Sequence, residues 1–200
     1  MKYIKRTLEQ NIIYLSKEYA CILLIGPRQI GKTTILEHID KDKKREYVTL
    51  DDLSERELAK NDPKMFLNLH NVPMCIDEVQ YAPELFSYIR IAIDNGTEPG
   101  SFFLTGSQSF KFMQLAKETL AGRVAIINMS SLSQSEIYHL NNSKLELNLN
   151  SLKKRNGKIA DIKQIYNRIF DVSLPALVSK KYTNKKSTIT HILQHLLKEI

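Results

Sequence analysis

Residues 20–33 read Ala20-Cys-Ile-Leu-Leu-Ile25-Gly26-Pro-Arg-Gln-Ile-Gly31-Lys32-Thr33, and this stretch decides the fold. Six consecutive apolar residues without alternation suit a strand buried on both faces, as in a parallel sheet. The run ends at Gly26, and the next eight residues match G-x-x-x-x-G-K-[ST]. In that pattern the glycines let the backbone turn tightly and aim successive N–H groups at phosphate oxygens. Lys32 would reach the β- and γ-phosphates, and the Thr33 hydroxyl would coordinate Mg²⁺. Thr33 to Ile39 has helical spacing, so the positive end of a helix faces the same anion. A strand before and a helix after are the flanks the motif needs. Arg28, inside the loop, is a further candidate phosphate contact.

Outward from this loop the same alternation recurs. Ile4, Leu8, Ile12 and Leu15 predict an amphipathic helix over Ile4 to Glu18. Strands are predicted over Glu46–Leu50, Val72–Ile76, Ser101–Leu104 and Val124–Met129. Helices are predicted over Ser54–Leu69, with Pro63 opening its second part, and over Glu84–Asp94 and Phe110–Ala121. Strands alternating with helices imply an α/β fold with a mainly parallel five-stranded sheet flanked by helices. Ligands of such sheets bind beyond the carboxyl ends of the strands, where several polar residues fall.

Asp77 and Glu78 close the apolar run Val72-Pro-Met-Cys-Ile, 45 residues after Lys32. Phosphoryl transfer needs a carboxylate to hold Mg²⁺ and a group to orient or deprotonate the attacking water. Asp77 suits the first role and Glu78 the second. Thr105 and Ser107 end a strand expected between the two motif strands, and either can touch the γ-phosphate or the water. Ser107 or Ser109 also suits a helix N-cap. Arg123, in Leu120-Ala-Gly122-Arg123-Val124, is a candidate for phosphate charge in cis or toward a neighbouring subunit, or for the carbonyls of a helix end. Asp51 and Asp52 end another strand and read as surface residues or partners of the Mg²⁺ shell.

Charge divides the 200 residues. Residues 1–150 hold 18 Lys/Arg and 19 Asp/Glu, and residues 151–200 hold 11 and 3. The near-neutral part is no uniformly basic nucleic-acid clamp, and a hydrophobic content of 42% excludes a disordered or collagen-like chain. The longest apolar run, six residues, is far below the roughly 20 that a membrane span requires. No secretory signal is legible, and Cys21 and Cys75 read as small buried hydrophobes, so a cytoplasmic location is expected. Residues 1–140 read as one domain, 141–158 as a connecting segment and 159–200 as a basic, mostly helical segment. In the connecting segment, Leu145, Leu147 and Leu149 alternate like a short edge strand. In the last segment, helices are expected over Ile159–Phe170 and Ser187–Ile200. His191 and His195, four apart on the latter, read as solvated or partner-facing.

GPRQIGKTT, LDD, CIDEVQYAPELF, FFLTGSQSF and LAGRV, in this order, resemble the AAA-type P-loop ATPases of bacteria and archaea that usually carry a C-terminal domain of unknown function. The likeness runs from about residue 1 to 178. It implies nucleotide contacts from Gly26, Pro27, Arg28, Gln29, Ile30, Gly31, Lys32, Thr33 and Thr34. It also implies Asp77 for Mg²⁺, Glu78 for the water and Arg123 as a characteristic basic residue. A second domain about as long as this entire chain is usual in that family, so the chain reads as a shortened member. The function expected is Mg²⁺-dependent ATP hydrolysis, alone or within a homo-oligomer or with a protein partner. A slowly hydrolysing switch and nucleic-acid binding through the basic tail are the alternatives, the second less favoured.

Overall fold

A computed structural model describes residues 3–40, 45–107, 110–139, 149–150, 161–170, 174–178 and 190. Its contacts divide the chain into two compact units, Leu8–Ser130 and Met1–Thr7 with Ser131–Ile200. The first unit contains the whole sheet.

Five strands form that sheet: β1 (Cys21–Ile25), β2 (Glu46–Thr49), β3 (Met74–Asp77), β4 (Phe102–Gly106) and β5 (Val124–Asn128). Their order is β2-β3-β4-β1-β5 and every pairing is parallel, as the α/β reading requires. Each connection carries helix, since parallel neighbours need a crossover. These are α2 (Lys32–Ile39), then α3 (Leu53–Asn61) with α4 (Pro63–Leu69), α5 (Leu85–Asp94) and α6 (Phe110–Thr119). Pro63 does open the second of the paired helices, at its first turn. Helix α1 (Glu9–Leu15) precedes β1.

Strands β1, β3 and β4 are buried along their whole length because both faces are covered, whereas the edge strand β2 buries only Val48 and β5 only Ala125 and Ile127. One face carries Cys21, Leu23, Ile25, Met74, Ile76, Phe102 and Leu104 into a core with Phe66, Phe86, Ile89 and Phe112 from α4, α5 and α6. Alternate positions Ile22, Leu24 and Phe103 point the other way and are equally buried, as are Ile12 of α1 and Ile35 and Leu36 of α2. Both cysteines are free and lie inside the sheet, where burial pushes the Cys75 thiol up to about 12.

In the second unit the expected helix start at Ile4 gives way to a different arrangement. The Thr7 N–H donates to Glu136 Oε1 at 2.7 Å, and Arg6 pairs with the same carboxylate at 3.3 Å. Those bonds take the place of a first helical turn, so α1 begins only at Glu9. Glu136 lies in α7 (Gln134–Ile137), where it closes a capping box with Ser133. Burial works against its charge, but the Ser133 and Thr7 N–H groups and Arg6 hold its carboxyl below the usual range.

Helices α8 (Ile162–Phe170) and α9 (Pro175–Val178) follow. Leu149 is helical and exposed rather than part of an edge strand. Leu145, Leu147, most of residues 141–158, the final expected helix, and His191 and His195 with it, lie outside the described residues.

Candidate functional site

Strand order fixes where polar residues can meet. The loop after β1 and the ends of β3 and β4 share one edge of the sheet, with β4 between the two motif strands as expected. Each glycine of the loop has its own reason. Gly31 sits at φ +91° as the N-cap of α2, a backbone state that L side chains rarely adopt. A Cβ on Gly26 would lie 2.3 Å from Met129 O and 2.7 Å from Ile30 Cδ1, so close approach excludes any side chain there. Gln29 is also left-handed, at φ +62°. Ile30 is buried and anchors the loop, while Pro27, Gln29 and Thr34 are exposed.

Lys32 is only 5% exposed, and its ammonium donates to Gly26 O and Pro27 O, both at 3.1 Å. It therefore folds back onto the loop, with its charge held against the loop's first two carbonyls. Arg28 points elsewhere, toward the Tyr81 hydroxyl at 2.9 Å. One face of that ring carries the Arg56 guanidinium, 3.9 Å from the centroid.

Asp77 is the hub. The Thr33 hydroxyl donates to its Oδ1 at 2.8 Å across 44 residues of chain. The Thr105 hydroxyl donates to the same oxygen, and Tyr47 OH donates to Oδ2 at 3.0 Å. Sheet register explains the Thr105 contact: Ile76 pairs with Leu104, so the next residues of β3 and β4 stand side by side on one face. Burial, then the Asp77 charge, raises the Tyr47 phenol above its ordinary range, which keeps it a donor.

Glu78 follows at φ +58°, and its N–H donates to the Thr105 hydroxyl at 3.1 Å. Thr105 thus brackets both acidic residues. The expectation that it touches phosphate or water needs correcting, because the side chain is fully buried and its hydroxyl is occupied by Asp77 and Glu78. Ser107 lies just beyond, half-buried, with its N–H donating to Gln80 Oε1 at 3.0 Å.

Arg123 is not brought to these residues. It precedes Val124, which pairs with Cys21 at the start of β1, whereas the loop begins beyond Ile25 at the other end of that strand. Four strand steps at about 3.3 Å each keep it at the amino edge. There it forms a two-pronged bond to Asp94, at 2.5 and 3.1 Å, and donates to Ala121 O at 2.9 Å. The cis reading therefore fails on distance. Asp52 is likewise the N-cap of α3, accepting from Ser54 N at 2.8 Å, and Asp51 is exposed.

Sequence reading missed Tyr47, Gln80, Tyr81 and Arg56. Only Gln80 carried a local signal, as a polar residue two positions past the acidic pair. Tyr47 and Arg56 reach the site through register and packing that no local pattern displays. Among the described residues no group of three or more His, Cys, Asp or Glu side chains is placed to hold a metal by itself. Thr33 and Asp77 are instead a partial donor set, of the kind completed by phosphate oxygens and water.

A parallel sheet with a glycine-lysine phosphate loop at its carboxyl edge, and a carboxylate bonded to the loop's threonine, defines a P-loop nucleotide-binding domain. The family model described as "AAA domain" matches residues 18–138, and the chain belongs to that family. Two uncharacterized proteins, of Mycobacterium bovis and Mycobacterium tuberculosis, are each 34% identical over 117 residues, covering 58% of this chain. The chain spans only 26% of their length in that match. Among solved structures, the Walker-type ATPase of Pyrococcus abyssi superposes with a TM-score of 0.57 at 14% identity, over 98% of this chain and 74% of that one. That likeness is one of fold. Among the described residues no helix is long and apolar enough to cross a membrane.

Proposed function

We propose that this chain binds ATP together with Mg²⁺ at the carboxyl edge of its sheet and hydrolyses it to ADP and phosphate. The observation that carries the reading is the 2.8 Å bond between Thr33 and Asp77, which joins the phosphate loop to the acidic strand end. Residues Gly26 to Thr34 would cradle the phosphates through the N–H groups of all but Pro27, which has none, and through the start of α2, and Lys32 would neutralise the β- and γ-phosphates. Two hard oxygen donors at Thr33 and Asp77 fit Mg²⁺, which when bound would draw charge from the phosphate oxygens. Asp77 is kept ready as an acceptor by Tyr47 and Thr105. Glu78, one residue on and half-buried, would orient the attacking water and take its proton. Ser107, at the end of the intervening strand, is the remaining candidate for the γ-phosphate. A reducing cytoplasmic location, the division at residues 140 and 158, and a partner driven by turnover belong to the same proposal.

Two variants test it on the purified chain. Lys32→Ala should abolish ATP binding by calorimetry. Glu78→Gln should retain binding yet lower turnover by about 100-fold or more, which is at least the lower bound of the effect of a positioned acid or base. Normal phosphate release by Glu78→Gln would remove that residue from the mechanism.

A further inference from the structure

A glutamate that works on water must be held, since a free side chain spends most of its time aimed elsewhere. Glu78 has such a holder two residues away. Gln80 Nε2 donates to Glu78 Oε2, while Gln80 Oε1 accepts from the Ser107 N–H at 3.0 Å. The orientation of the amide is forced, because a backbone N–H can only donate. Oε1 must therefore face Ser107, which leaves the NH₂ for the carboxylate.

Local backbone makes the reach short. Residues Val79–Tyr81 form a single 3-10 turn, closed by Tyr81 N–H to Glu78 O at 3.0 Å, which brings side chain 80 back beside side chain 78. Glu78 enters that turn from a left-handed conformation, an uncommon one for a residue with a Cβ. The strand end has made room as well: a Cβ on Gly106 would lie 3.2 Å from Gln80 Oε1 and 2.8 Å from the Phe112 ring.

We propose that Gln80 is a positioning residue, which fixes the Glu78 carboxylate for its work on water by bridging it to the carboxyl end of β4. The inference rests on the reading of Glu78 given above. Gln80 makes no bond to the phosphate loop among the described contacts, so its effect falls on the chemical step and not on nucleotide binding.

The test compares Gln80→Met, which keeps the length without hydrogen bonds, with Gln80→Asn, which keeps the amide but shortens the reach. Both should lower kcat by about 10–100-fold, the usual effect of removing a partner that orients a reacting group, with the KM for ATP unchanged. In a Glu78→Ala background, single-turnover hydrolysis of radiolabelled ATP should show no further loss from Gln80→Met, because the group it positions is gone. Unchanged kcat in both variants would overturn the inference. So would a loss read in KM, or an equal loss in the Glu78→Ala background. Normal turnover by Glu78→Gln would instead refute the role of Glu78 itself, and the two failures are distinguishable.

Discussion

Asp77 accepts from three hydroxyls drawn from α2, β2 and β4, which is why a short polar residue at position 105 matters more than its sequence context suggests. Thr105→Val keeps the shape and deletes the hydroxyl, leaving the Glu78 N–H without its acceptor and Asp77 with one donor fewer. A buried donor left unmet costs about 1–3 kcal/mol, so thermal unfolding should register that loss. Turnover should fall by about 10–100-fold with it, and Thr105→Ser should restore most of both. Full activity in Thr105→Val would sink the bracket role. At this scale the sequence was legible wherever one residue type answers one chemical need, as with Gly31, Lys32 and Asp77. It was illegible for Arg123, whose neighbourhood suited phosphate but whose position at the amino edge of β5 depends on strand register. It was also illegible for Tyr47, an exposed edge-strand residue whose hydroxyl happens to reach Asp77.

Elements were read well where burial sets the pattern: the central strands β1, β3 and β4 follow from apolar runs that must be covered on both faces, and the helices between strands follow from their periodic apolar positions. Boundaries moved where side chains compete with the backbone, as at Thr7, whose N–H chose Glu136 over a helical turn. A similar side-chain tie holds the β2 edge. His70, after α4, bonds Glu46 of β2 through Nδ1 at 2.6 Å and Glu55 of α3 through Nε2 at 3.0 Å. Burial opposes its charge, but the two carboxylates outweigh burial and raise its pKa above the ordinary 6.5. The Glu46 carboxyl is lowered from 4.5, first by His70 and then by the Asn71 N–H. A raised histidine pKa gives stability that is complete below 6.5 and lost as pH rises through the folded value. A lowered glutamate pKa gives stability that is complete above 4.5 and lost as pH falls. The tie is therefore strongest between those values. The melting-temperature difference between the wild-type chain and His70→Gln should be largest there and shrink above neutral pH. A difference independent of pH would show that the His70 charge contributes nothing.

For the whole molecule, the site joins parts that are distant along the chain: the loop at 26–34, the edge strand at 47, the acidic pair and the end of β4. A ligand that binds across these parts binds the folded state alone, so its free energy adds to stability by mass action. At 100 times its Kd the gain is about 2.7 kcal/mol, which for a chain of this size corresponds to a rise of about 5–10 °C in Tm. The rise should need both ATP and Mg²⁺, because Thr33 and Asp77 supply only part of a cation's oxygen shell. EDTA should therefore remove most of the rise, and Lys32→Ala should remove all of it. Glu78→Gln should keep it, and sustain it for longer, because the nucleotide is no longer consumed. The basic residues beyond position 150 offer a control, since any polyanion they attract would raise Tm without Mg²⁺ and lose its effect as salt is added. A shift that survives EDTA and Lys32→Ala but disappears in salt would place binding on the tail, and would remove the phosphate loop from the account of stability.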